Sequence, residues 1–422
     1  MDNTTGRALL NLGLDLADVR RHQALLQQYF QRDEAKRFEL VSAISSGQYS
    51  VAWKLKFRET PTSDVRYIVL KTDRKYTELR NDDDDSQDDD DNEKMDVDDD
   101  SLMSPESQTP NEKNRLEALQ WAKHVVSGVE VTSDPLGRVF PDVPSHQMDP
   151  DSWLYIEYLE NGTISNFLQK ARQKKMVIPN RILWRFFMCL LRMVVAMGWP
   201  PAKPDGEGPK PVQEQISGPP TGGLRHNDMH EENIMLGNMI QSGDADLEHS
   251  LTPILCLIDL GAMDKVPDTP EHNMAAVRSN IFDIGLIMLS LITRNEELAQ
   301  SIVPEEETAI PIQLRRGQPP VLTNATPLLA GANRVTPFGW LDPDLRTALC
   351  ACLATLPEQR PSIAALLNVV TNCIKEEIRG IMLRGTEMMG PPRATHAFVR
   401  SCKNWFSMLK LGAGASESRA CS

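Results

Sequence analysis

The stretch RHNDMHEENIML, residues 225–236, packs two histidines, an aspartate, two glutamates and two asparagines into twelve residues. His226 and His230 are four apart, a spacing that on a helix puts both on one face, as in the H-E-x-x-H zinc motif. That motif needs Glu directly after the first His, and this chain has Asn227 there. Proline and glycine crowd GPPTGG, residues 218–223, so the stretch reads as a loop rather than a helix. Beyond it the chain turns apolar at IML, residues 234–236, and again at ILCLIDL, residues 254–260. Asp228 and Asn233, five apart, thus sit in a polar loop ahead of a second strand-like run that ends in Ile258-Asp259-Leu260-Gly261.

Composition narrows what surrounds this loop. At 422 residues and 41% hydrophobic content the chain can bury a sizeable core. Its formal net charge is -14, and residues 81–100 alone, with twelve Asp, one Glu and one Lys, contribute 12 of those negative charges. The remainder is near neutral, which gives no basic footprint for nucleic acid. The seven cysteines show no C-x-x-C spacing, so reduced thiols in an intracellular protein, cytoplasmic or nuclear, are expected. The start of the chain lacks the basic-then-apolar pattern of a signal peptide. FFMCLLRMVVAMGW is broken by Arg192 and IFDIGLIMLSLI carries Asp283; neither reads as long enough to span a membrane.

The order of elements points to an α+β fold with two unlike lobes. Residues 1–37 read as polar helices, an N-terminal extension. FELVSAISSGQYSVAWKLKF, residues 38–57, and VRYIVLKTD, residues 65–73, alternate apolar and polar residues and read as strands. Residues 81–110 are acidic, then Ser/Pro-containing, and lack apolar residues to bury, so they read as a disordered insert. Its Ser104-Pro105 and Thr109-Pro110 would suit proline-directed kinases. NEKNRLEALQWAKHVV reads as a helix, DSWLYIEYL as a strand, and ISNFLQKARQKK and RILWRFFMCLLRMVVAMG as helices. Residues 200–223 form a Pro/Gly linker, the chain from about 273 is mostly helical, and residues 385–422 read as a tail.

The spacing H-x-D-x-x-x-x-N at His226, Asp228 and Asn233, followed by D-x-G at Asp259, resembles the catalytic loop and metal-binding motif of the protein-kinase-like superfamily. The resemblance implies a small antiparallel-sheet N-lobe over residues 38–158, a mainly helical C-lobe over 159–384, and ATP and magnesium as cofactors. Phosphoryl transfer needs hard oxygen ligands for the metal and a carboxylate facing the acceptor hydroxyl. By resemblance Asp228 is that carboxylate, and Asn233 and Asp259 are the magnesium ligands. Lys71, in IVLK, stands where that family grips the nucleotide phosphates, paired with a glutamate on the next helix: Glu112, with Glu117 as the alternative. SSGQYS keeps Gly47 of a glycine-rich loop, with Ser45 and Ser50 at the other glycine positions, and Ala52 just beyond would line the nucleotide site. LYIEYLENGTI resembles the hinge of that fold, with Ile156 guarding the adenine pocket and Glu157 and Leu159 offering backbone hydrogen bonds. SNIFDIGLIML resembles its buried helix F, with Asn280 in place of the usual Asp. CLATLPEQRPSIAALL resembles its P-x-x-R-P segment, with Arg360 as the arginine. The overall texture is similar to divergent protein-kinase-domain proteins of filamentous fungi.

Departures from that pattern bear on the acceptor. Asn227 replaces the arginine that normally receives an activation-loop phosphate. Only 24 residues separate Asp259 from Asp283, and no A-P-E occurs between them. His230 stands where Ser/Thr kinases have lysine, as it does in aminoglycoside and choline phosphotransferases. A protein Ser/Thr hydroxyl is the expected acceptor. A small-molecule phosphotransferase and a pseudokinase acting as a binding module are the alternatives. His226 is read as a core hydrogen-bonder, and Cys350 and Cys352 as buried helical positions.

Overall fold

Strand β2 (Ser50–Phe57) shows why the first part of the chain forms a sheet. Its Val51, Trp53, Leu55 and Phe57 alternate along the strand, fall on one face, and are all buried. β1 (Phe38–Ser46) and β3 (Arg66–Asp73) flank it, and β4 (Trp153–Glu157) pairs with β3, giving an antiparallel sheet in the order β1-β2-β3-β4. Helix α1 (Leu16–Gln31) covers the apolar face with Val19, Leu26, Tyr29 and Phe30. The fold is mixed α+β. This computed structural model describes residues 16–46, 50–60, 62–73, 109–138, 152–206, 210–239, 248–249, 252–314, 317, 319–330 and 335–388. The described chain falls into two compact units, divided within α2 (Thr109–Leu119) after Glu117 and again after Val126 and Tyr158.

Helix α1 is more than the polar extension expected from its composition. Polar residues outnumber apolar ones, but the apolar ones recur at helical spacing and enter the core of the first unit. His22 joins them fully buried, edge-on to Trp53 with ring centroids 5.2 Å apart. Burial pushes its imidazole down to about 4. The turn after α1 is fixed by Arg37, which pairs with Asp33 at 2.9 Å and donates to the carbonyls of Thr132 (2.6 Å) and Ser133 (3.0 Å). Beside those carbonyls, Asp134 accepts from Leu136 N (3.0 Å), Trp153 Nε1 (2.8 Å) and the Tyr155 hydroxyl (2.9 Å). One carboxylate therefore satisfies two mostly buried aromatic donors of β4.

The second unit is built on α4 (Asn180–Gly198), which is buried on every face from Ile182 to Gly198 save at Arg192. A helix apolar all round belongs inside a helical core. α5 (Pro270–Thr293) and α8 (Ile363–Met388) pack against it. α3 (Ile164–Gln173) starts with a capping box between Thr163 and Asn166, and α5 starts with Thr269 as cap and Pro270 in the first turn. α6 (Glu296–Gln300) follows α5, a hairpin of β9 (Ile310–Ile312) and β10 (Val321–Thr323) comes next, and α7 (Pro343–Cys352) precedes α8. Cys350 and Cys352 are buried in α7, as read from the sequence.

Several expected boundaries move. Helix α5 is 24 residues long, and by length and composition it could cross a membrane, against the expectation that no stretch was long enough. Its cap lies well before the apolar run read from sequence, and most of it is buried among the helices of the second unit. The described part of the Pro/Gly stretch 200–223, residues 200–206 and 210–223, is docked rather than a free linker. Val212 exchanges backbone hydrogen bonds with Trp121 and Lys123, Trp199 Nε1 donates to Gly218 O, and Glu214 is fully buried. Gly222 lies so close to Met197 O that a Cβ would collide with it. The acidic insert lies outside the described residues up to 108, but Thr109 and Pro110 already begin α2, with Thr109 buried. α8 runs through residue 384 to Met388, past the expected start of the tail, and residues 389–422 lie outside the described residues.

Asp134→Ala would leave two largely buried aromatic donors without their acceptor. The expected loss is about 2–6 kcal/mol in the unfolding of the first unit, at about 1–3 kcal/mol per unsatisfied group. Denaturant titration monitored by tryptophan fluorescence measures it, and a change below about 0.5 kcal/mol would contradict this account of the turn.

Candidate active site

Lys71 in β3 faces Ala52 of β2 and Leu154 of β4 in the sheet register. Strand alternation puts Lys71 and Ala52 on the face opposite Trp53 and Leu70. On that face Glu112, in the first turn of α2, takes the Lys71 ammonium between its two carboxylate oxygens, each 2.7 Å from Nζ. The pair is mostly buried, with 9% and 7% of the two side chains exposed. Of the two glutamates considered from sequence, it is Glu112 that meets Lys71. Removing one partner from such a pair strands a buried charge, at about 3–5 kcal/mol. Glu157, at the end of β4, spends its N–H on Ser127 O (3.0 Å) and its Oε1 on Ser127 N (2.8 Å), so its carbonyl is the atom left for the expected adenine contact. Ser50 opens β2 and is half-buried, Leu159 is buried in the second unit, and Gly47 lies outside the described residues.

In the second unit, β5 (Leu224–Arg225) pairs with β8 (Asp264–Lys265), and β6 (Ile234–Leu236) pairs with β7 (Leu255–Leu257). These two short ribbons bracket the loop 226–233, whose irregular backbone needs partners from elsewhere. Asn280 of α5 supplies them: its Oδ1 accepts from His226 N (3.1 Å) and its Nδ2 donates to Leu224 O (2.9 Å). His226 is fully buried and its Nδ1 accepts the N–H of Asp228 at 3.3 Å, the core role read from sequence. Burial lowers the His226 pKa to about 4, although Asp228 and Asp259 pull it upward.

Asp228 and Asn233 come together as their spacing suggested. Asn233 Nδ2 donates to Asp228 O (2.9 Å) and to Asp228 Oδ2 (3.0 Å). A carbonyl can only accept, so the amide nitrogen is the atom turned to Asp228, and Oδ1 is the atom that could hold a cation. Ile258 N donates to Asn233 O (2.9 Å), which brings the residue before Asp259 alongside Asn233. Asp259 itself takes a left-handed backbone, φ 56°, directly after the β7 run. An amide oxygen and a carboxylate are both hard donors, and this set fits magnesium. His230 Nε2 lies 3.1 Å from Asn233 Nδ2 and 3.5 Å from Asp228 Oδ1.

Asn227, where the resembled family has arginine, is also left-handed, φ 65°. Its Nδ2 donates to Ala262 O (3.0 Å) and Asp264 Oδ2 (2.7 Å), which fastens the segment after Asp259 without any phosphate. That segment is short, because β8 ends at Lys265 and α5 begins at Pro270. Arg360 donates to the carbonyls of Ala354, Arg278 and Thr355 and lies over the Phe282 ring, bracing the α5 side of the unit.

Asp228 leaves 52% of its side chain exposed, at the edge of a polar hollow of about 700 Å³. Arg225, His230, Glu232, Ser279 and Asp283 also line it. Burial pushes the Asp283 carboxyl up to about 7, against the pull of Arg360 and Arg225. Compared with models of known protein families and with curated proteins, the chain matches none. Sequence reading missed the fastening role of Asn227 and the part played by Asp283. A short segment ahead of a helix, with a polar side chain at its start, was the available signal for Asn227; Asp283 looked only like an interruption in an apolar run.

The raised Asp283 pKa has a sign. Its contribution to stability is whole below the usual carboxylate value of about 4 and is lost as pH rises through about 7. Asp283→Asn removes that loss. Relative to the parent, the variant is expected to melt higher at pH 8, to keep only part of this advantage at pH 5 and to lose it below about pH 4. An offset that stays the same at both pH values would contradict the assignment.

Proposed function

We propose that this chain is an ATP-dependent phosphotransferase of the two-lobed protein-kinase-like fold, acting on a hydroxyl. The observation that carries the reading is the Asp228–Asn233 pair in a loop tied down by Asn280, with Asp259 following the neighbouring strand. In the first unit, Lys71 supplies an ammonium for the donor phosphates, and Glu112 holds that ammonium in one place. In the second unit, Asn233 and Asp259 are the residues that would hold magnesium, which when bound neutralises phosphate charge. Asp228 orients the acceptor hydroxyl and takes its proton, a task that suits a half-exposed carboxylate at the edge of a hollow. Asn233 keeps the Asp228 carboxylate in register by bonding both its carbonyl and its Oδ2. Because Asn227 already fastens the segment after Asp259, activity in this reading needs no activating phosphate there.

The acceptor in this reading is a serine or threonine hydroxyl of a protein, on the strength of the hinge-like and P-x-x-R-P segments. A second reading, transfer to a small hydroxylated compound, draws on the few residues between Asp259 and Pro270, which leave little chain for a peptide platform. It draws also on the hollow beside Asp228, whose volume falls within the range of small-molecule pockets.

Asp228→Asn keeps the size and most hydrogen bonds of the side chain but removes the proton acceptor. Turnover is expected to fall about 10²- to 10⁴-fold with little change in nucleotide affinity. Transfer of labelled phosphate into generic proteins, into the chain itself and into a panel of hydroxylated compounds measures it and separates the two acceptors. Equal labelling by parent and variant would defeat the reading and leave a binding module in its place.

A further inference from the structure

Away from the loop, three chemically distinctive side chains meet inside the second unit. Cys189 lies on α4, His124 on the segment just after α2, and His249 ahead of β7. All three are 0% exposed. Cys189 Sγ and His249 Nδ1 are 3.7 Å apart, and the imidazole centroids of His124 and His249 are separated by 5.0 Å. One potential ligand atom from each of the three lies within 4.8 Å of the other two.

Glu214 stands behind His124. Its Oε2 is 2.7 Å from His124 Nδ1, and its Oε1 accepts the His124 backbone N–H, also at 2.7 Å. With Nδ1 committed to Glu214, the second ring nitrogen of His124 is the one left to act; it is buried beside Cys189 and has no hydrogen bond of ordinary geometry among the described residues. A buried polar atom left so is costly unless something binds it. Arg192, one turn beyond Cys189, pins the loops that carry the other members: it donates to Glu214 O (2.7 Å) and pairs with Glu248 (2.7 Å).

We propose that His124, Cys189 and His249 form a buried zinc site, with Glu214 orienting His124 as an outer-shell partner. A thiolate and two imidazoles are a donor set that suits zinc and disfavours magnesium or calcium. A tetrahedral ion with Zn–S of about 2.3 Å and Zn–N of about 2.1 Å sets its sulfur and nitrogen ligands about 3.6 Å apart, close to the Cys189–His249 separation. A carboxylate on the far nitrogen of a ligating imidazole is the usual outer-shell arrangement. The ion would bond a thiolate and two neutral imidazoles, so the proton that the Cys189–His124 pair holds goes to solvent on binding. The site braces the chain that leads to Asp259: His124 O accepts from Leu257 N (2.9 Å) and Val126 N donates to Leu257 O (2.9 Å), so β7 hangs on the segment that carries His124. None of this depends on the phosphotransferase reading.

Untagged full-length protein tests it directly. Elemental analysis after gel filtration is expected to find about one zinc per chain. After chelation, titration with cobalt(II) is expected to give a sulfur-to-cobalt charge-transfer band that saturates near one equivalent. Cys189→Ser should abolish the band, and Glu214→Gln should weaken cobalt binding about 10- to 100-fold. The parent spectrum needs no variant to fold, so the result stands even if Cys189→Ser unfolds. Folded parent protein that neither retains zinc nor gives the band would overturn the site and leave a hydrogen-bonded His–Cys–His cluster. A band that survives in Cys189→Ser would overturn it as well.

Discussion

A loop outside helix and strand must find partners for its buried peptide groups by other means, and in the second unit part of that demand falls on one buried amide. Asn280 answers it by accepting from His226 N and donating to Leu224 O from the buried face of α5. An aspartate at that position could accept from His226 but would set a carboxylate against the Leu224 carbonyl, so the amide matches the loop as it is built. The Asp228 loop hangs in part from this contact. His226 in turn receives the Asp228 N–H, and Asn233 closes the turn onto Asp228 O. α5 can serve as the anchor because it is itself immobilised against α4, a helix with almost no solvent-facing side.

The first unit obeys a parallel constraint with a charge instead of a peptide. Lys71 lies on the sheet face opposite the apolar core, mostly buried, and an ammonium there needs a counter-charge. Both oxygens of Glu112 meet it. A pair of this kind is weak support for stability, since burial costs both ions much of what their attraction returns. Its value lies in fixing where a cation stands. In each unit, then, a polar group is held in one place by a partner from a separate element, which is what a group meant to act on a ligand requires.

Much of this was legible in the sequence, and the reasons are local. Alternation in residues 50–57 gives β2 directly, and the five-residue spacing of Asp228 and Asn233 is short enough for the turn between them to be read. Lys71 on a strand was equally plain, and Glu112, preferred over Glu117 from sequence, is the glutamate that meets it. Helix α1 was underestimated because its apolar stripe is outnumbered by polar residues facing away. The stretch 200–223 looked like a linker because proline and glycine dominate it, whereas its place is decided by single contacts such as Glu214 with His124. The cluster of His124, Cys189 and His249 had no sequence signal at all: its members are separated by about sixty residues and lie next to each other only because α4 and β7 are neighbours in the fold.

The central claim, that Lys71, Asn233 and Asp259 serve a nucleotide and its metal, meets its most direct test in a thermal melt with ATP, with and without magnesium. A ligand at a hundredfold excess over its Kd stabilises the fold that binds it by about 2.7 kcal/mol, a rise of roughly 5–10 °C for units of this size. The account predicts such a rise with magnesium and ATP together, and loss of its magnesium-dependent part in Asp259→Asn. A parent protein whose melting temperature does not move at millimolar ATP with magnesium would contradict it.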